Sequence, residues 1–185
     1  MIMQIKKTFP IYEGPDLRRR WTTEAEWRDW LRAHGAYGFR VTPYFNRCCV
    51  VFGERRYVET IKQLYGLDES EFVYGVGGMV TTLGYIQADT MLHCVYLPEN
   101  YDETVYWHEA LHVALMTAEY HGVQLHDQEA LTYLQGYIAE EFNRSRLQFM
   151  ADKKAGGLPA IEGIVTRPAS TICRGGFCNR KVVMR

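Results

Sequence analysis

Between Asp102 and Gln148 the chain carries two long helical patterns, at about 102–121 and 127–148, separated only by the connector Gly122 to His126. A linker that short predicts that the second helix turns back along the first, as an antiparallel helical hairpin. Asp102 is the expected N-cap of the first helix, and Gly122 is its C-terminal signal. Ala110, Leu111, Val113, Ala114, Leu115 and Met116 make the first helix apolar round most of its circumference, which predicts burial. Leu131, Leu134, Ile138 and Phe142 give the second helix a core-facing stripe. Gly136, seven residues after Glu129, would let the two helices approach closely.

Such a hairpin needs a second layer, and the preceding residues supply strand material. Residues 2–12 alternate loosely and suit a first strand. Thr23 and Glu26 form a capping-box pattern, followed by Trp27, Trp30, Leu31 and His34 at helical spacing, so a helix is expected over about 23–34. Phe39-Arg40-Val41 and Cys48–Phe52 read as two strands joined through Pro43 to Arg47. Tyr57, Val58, Ile61, Leu64 and Tyr65 fit a short amphipathic helix closed by Gly66. Residues 72–97 read as strands interrupted at Gly75, Gly77 and Gly78, with Leu83–Gln87 and Met91–Leu97 the clearest pair. After Gln148 the periodicity decays through Gly156-Gly157, Pro159, Pro168 and Gly175-Gly176. The expected fold is therefore α+β: a small, mainly antiparallel sheet packed on a two-helix hairpin within one domain, 1–148, followed by an extended arm, 149–185.

Composition narrows the function classes. With 47% hydrophobic and 23% charged residues in 185, the chain can bury a real core and is not wholly disordered. No apolar run approaches the ~18–20 residues of a membrane span. Residues 1–7 lack the basic-then-apolar pattern of a secretory signal. Five cysteines, an odd and modest number, point to reduced thiols in a cytoplasm. Cys173 and Cys178, with four residues between them, are spaced more loosely than a structural zinc knuckle. The net charge of −1 hides an asymmetry: residues 143–185 carry nine Lys and Arg against two acids, +7, whereas residues 1–142 carry −8. A basic arm on an acidic body suits a protein partner or a neighbouring copy. No base-reading motif accompanies the arm or the run Arg18-Arg19-Arg20-Trp21, so nucleic acid is not the expected partner.

The stretch that carries chemistry is Trp107-His108-Glu109-Ala110-Leu111-His112, an H-E-x-x-H pattern on the first long helix. Four residues advance a helix by about 400°, so His108 and His112 share one face, a turn apart. Two imidazoles so placed can reach one metal ion at about 2.0–2.1 Å. Glu109, about 100° further round, can touch a water bound to that ion, the position of a general base. Three polar side chains on a buried helix cost several kcal/mol unless paired, and a divalent cation would offset that cost.

A zinc site needs a third protein ligand. Glu119 is seven residues beyond His112, about 10.5 Å of rise and too far. Positions 115 and 118 are Leu and Ala, so the longer H-E-x-x-H-x-x-G-x-x-H pattern fails. The second helix opens Asp127-Gln128-Glu129, and the hairpin brings its first turn back beside the motif. Glu129 is the preferred third ligand, with Asp127 and His126 as rivals; Asp127 also suits an N-cap or a partner for a ligand histidine. Tyr133, on Glu129's face, is the candidate oxyanion donor, with Tyr106 and His93 behind it.

His108-Glu109-x-x-His112 followed by Glu129-Ala130 on the next helix resembles the zincin metallopeptidases, in their small gluzincin-like branch. The run from His108 through Tyr133 to Glu140 is also similar to small H-E-x-x-H proteins of tailed bacteriophages. The resemblance covers residues 91–142. It implies a Zn2+ cofactor held by two histidines and a glutamate, zinc-bound water as nucleophile, Glu109 as base, and a peptide or protein substrate. It also implies that the strand before the motif helix, Met91–Leu97, is an edge that pairs with an extended peptide. The alternative, from another class, is a structural or assembly protein, such as a phage virion component. That protein would keep the zincin core for stability and bind neighbours through its arm.

Overall fold

A computed structural model of the chain describes residues 23–44, 46–67, 72–85, 90–124 and 128–159. The strand expected at 2–12, the basic run at 18–21, His126, Asp127, Cys173 and Cys178 lie outside the described residues.

Helix α1, Glu24–Ala33, starts at the predicted capping box. The Thr23 hydroxyl accepts from the Glu26 amide and the Glu26 carboxylate accepts from the Thr23 amide, each at 3.2 Å. Strands β1 (Tyr37–Val41) and β2 (Asn46–Phe52) follow, then α2, Glu54–Tyr65, which Gly66 ends in the left-handed region at φ 62°. Strands β3 (Met79–Tyr85) and β4 (Thr90–Leu97) lead to the hairpin of α3, Glu103–Tyr120, and α4, Gln128–Lys154. The Asp102 carboxylate caps α3 by accepting from the Thr104 and Val105 amides at 3.0 and 3.3 Å. Helix α4 runs six residues past Gln148, because Phe149 and Asp152 are buried and hold its last turns against the body.

The four strands form one sheet in the order β1-β2-β4-β3. Two of its three pairings are antiparallel, β1 with β2 and β3 with β4, and β2 runs parallel to β4. The fold is α+β with a small sheet, as the pattern of elements predicts. Strand alternation sorts the core into two layers. Phe39, Val41, Cys48, Val50, Phe52, Val95 and Leu97 face the α3–α4 hairpin. Cys49, Val51, Leu92, Cys94 and Tyr96 face α1 and α2, where Trp27, Leu31, Tyr57 and Ile61 complete a second core. The sheet is thus covered on both faces, not on the hairpin face alone.

That double cover corrects the expected edge. Met91–Leu97 is inside the sheet, hydrogen-bonded to β2 on one side and β3 on the other. Its unbroken apolar character is that of a strand buried on both faces. Among the described residues the sheet ends instead at β1 and at β3. β3 is the edge beside α3: the Thr82 hydroxyl reaches Met116 Sδ at 2.9 Å. No helix among the described residues is long and apolar enough to cross a membrane.

Candidate metal centre

Helix α3 lies on the sheet through Tyr106, Glu109, Ala110, Val113, Ala114, Thr117 and Ala118, all buried. His108 is on the opposite side and exposed, and His112 is half-buried. The expectation that all three polar residues of the motif sit inside a buried helix is therefore corrected: only Glu109 does. Leu111 and Trp107, which make the helix read as apolar all round, are exposed.

The two histidines converge. Their Nε2 atoms are 3.0 Å apart and their rings meet edge-on, with centroids at 4.6 Å. Without an ion, one Nε2 carries hydrogen and donates to the other. Two nitrogens bound to one tetrahedral zinc at 2.0–2.1 Å would stand about 3.3 Å apart. A few tenths of an ångström of ring movement converts one arrangement into the other, so the donor pair fits a borderline-soft divalent ion.

Glu109 is 2% exposed, and its Oε2 is buried with no hydrogen-bond partner among the described residues. Burial pushes its carboxyl up to about 8, because the charged form loses its hydration and gains no donor. At neutral pH and without an ion the protonated form is therefore favoured.

The remaining candidates stand apart from the pair. Glu129 is in the first turn of α4 and exposed, and Tyr133 is 73% exposed on the same stripe. That stripe is opposite the buried face of α4, formed by Leu134, Ile138, Phe142 and Phe149, so it points to the same outer side of the hairpin as the histidines. On α4, Gln135 Nε2 donates to the Trp107 carbonyl at 3.0 Å. That contact puts the start of α4 beside the α3 turns that follow Trp107, but it does not bring the Glu129 carboxylate to the histidines. Among the described residues, no three His, Cys, Asp or Glu side chains gather closely enough to hold an ion. Gly136 has nothing within 4 Å of a Cβ built on it, so it does not mediate close helix approach.

Neither secondary oxyanion candidate joins the histidines. Tyr106, about 200° round the helix from His108, is buried against Tyr101 and Phe142, with ring centroids at 4.9 and 6.4 Å. His93, fully buried on β4, has Nδ1 at 2.9 Å from the Thr82 hydroxyl and Nε2 at 3.1 Å from the Thr117 hydroxyl. Burial lowers His93 to about 3 and so keeps it neutral. The sequence did not reveal this linkage, in which Asn46 joins Thr117 at 3.5 Å and His121 at 3.0 Å. Its signal was only one histidine inside an apolar strand.

No family model matches this chain, and no curated protein or solved structure shows a significant match to it.

Proposed function

We propose that this protein is a zinc-dependent metallohydrolase of the zincin type, acting on peptide bonds. The observation that carries the reading is the convergence of His108 Nε2 and His112 Nε2 at 3.0 Å, with the next residue, Glu109, buried and its Oε2 without a donor among the described residues. His108 and His112 are the first two ligands. Glu129, exposed in the first turn of α4, is the third ligand in this reading and must close on the pair to reach the ion. A zinc ion held there would supply Lewis acidity and lower the pKa of water toward neutral pH. Glu109 takes a proton as base and returns it to the leaving amine. An extended peptide adding to the β3 edge would run alongside α3, past Glu109. Tyr133 is the oxyanion donor in this reading and must swing in from solvent. Cys48, Cys49 and Cys94 are buried within the sheet, and we read them as reduced thiols of a cytoplasmic protein.

A second reading is a virion or assembly protein that keeps this core and binds neighbours through its C-terminal arm. Leu147, 66% exposed, and Met150, 44% exposed, favour it, because they give the outer face of α4 an apolar surface. Digestion of a peptide library by zinc-loaded wild type and Glu109→Gln separates the two. Cleavage lost in the variant supports the hydrolase. Bound zinc without Glu109-dependent cleavage supports the assembly protein.

A further inference from the structure

Glu109 reaches its position through a gap in the segment that leads into β3. Gly78, the residue before that strand, is buried and lies over the glutamate side chain. A Cβ built on Gly78 would stand 2.8 Å from Glu109 Cγ, 2.8 Å from Glu109 Oε1 and 2.8 Å from Val105 Cγ1. Real side chains essentially never approach so closely, and the clash has no easy relief. Cγ is the second carbon of the glutamate, not its free end, and Val105 is β-branched and stiff on the same helix. Its neighbour Gly77 would meet only ordinary contact, Val105 Cγ2 at 3.4 Å. Gly78 also lacks the positive φ that marks Gly75 at 76°. Space, and not backbone conformation, is what demands glycine at position 78.

We infer that Gly78 is a positioning residue for the Glu109 carboxyl: its missing side chain is the slot in which that carboxyl lies, between α3 and the entry to β3. The inference rests on the reading of Glu109 as the base. Any side chain at 78 forces Glu109 out of the slot, while His108 and His112, on the outer face of α3, keep their convergence. A displacement of about 1 Å at a reacting group can cost on the order of a hundredfold in rate.

The test has two independent arms on the full chain. In the first, thermal unfolding is measured for wild type, Gly78→Ala, Glu109→Ala and the double variant. The contact predicts that Gly78→Ala lowers the melting temperature by several degrees in wild type and by clearly less once Glu109 is truncated. Equal penalties in the two backgrounds overturn it. In the second arm, zinc content and peptide-library cleavage are compared for wild type, Gly78→Ala and Glu109→Gln. The expected result is wild-type zinc with kcat reduced about a hundredfold, toward the Glu109→Gln level, and little change in KM. Wild-type kcat in Gly78→Ala overturns the positioning role. Wild-type protein that binds zinc and cleaves nothing overturns the hydrolase reading instead, and the unfolding arm still decides the contact.

Discussion

His108 and Glu109 are neighbours in the chain, yet α3 turns the first to solvent and presses the second against the sheet at 2% exposure. The two halves of the motif therefore sit in different dielectrics. The histidines converge on the outer side of α3, and the glutamate carries the cost of burial.

That cost gives stability a pH dependence. The Glu109 carboxyl titrates near 4.5 when solvated and at about 8 in the folded, metal-free protein. The folded state thus binds the proton more tightly, and stability is lost as pH rises from about 5 to 8. The loss is on the order of 3 kcal/mol. Chemical denaturation in chelator across this range should show it for wild type, and Glu109→Gln should flatten it. A wild-type profile as flat as the variant's contradicts the assignment.

His93 works with the opposite sign. Its folded value of about 3 lies below the ordinary 6.5, so the unfolded chain takes the proton first. Stability falls as pH drops from 6.5 toward 3. His93→Gln should shallow the acid limb and leave the Glu109 limb between pH 7 and 8 untouched. The check is the same denaturation series; a variant whose acid limb keeps the wild-type slope rejects it.

Two glycines should respond oppositely to alanine. On β1, a Cβ at Gly38 would stand 2.5 Å from Leu31 Cδ1 and 2.6 Å from Trp27 Cζ3. Gly38→Ala should cost about 1–3 kcal/mol through overpacking. Gly136, inside α4 with open space around it, should gain about 0.5–1 kcal/mol as alanine from helix propensity. Urea midpoints of the two variants decide both.

A carboxylate links the last turns of α4 to α1 and β1. Asp152 accepts from Arg32 Nε at 2.8 Å and from the Tyr37 hydroxyl at 2.9 Å, and the Arg32 hydrogen bond holds its carboxyl below the ordinary range. The stability it contributes is present above the ordinary carboxylate value and is lost as pH falls below it. Asp152→Ala should cost about 1–3 kcal/mol at neutral pH by leaving these donors unmatched. A melting curve equal to wild type would show that the cluster contributes nothing.

Local signals made most of the fold legible. Thr23 and Glu26, Asp102 and Gly66 act at the ends where the sequence reads them, because caps and left-handed turns are settled within a few residues. Strand order was not legible. Nothing local states that β2 pairs with β4 in parallel, and Met91–Leu97 could be taken for an edge although its continuous apolar run is that of a central strand. The pairing of His108 with His112 was readable from helical spacing. The split between their exposure and Glu109's burial was not, since exposed Trp107 and Leu111 make α3 look apolar on every side. Gly78 read only as an interruption of strand material, because close packing between distant segments leaves no periodic trace.

The most direct test of the account is the zinc content of purified full-length protein, measured with its dissociation constant by competition against a chelating dye. The convergence of His108 and His112 predicts near-stoichiometric zinc in wild type and loss of binding by at least about a hundredfold in His112→Ala, in line with removal of one of the three proposed ligands. Wild type without bound zinc, or a His112→Ala variant that binds it as tightly, would contradict the account.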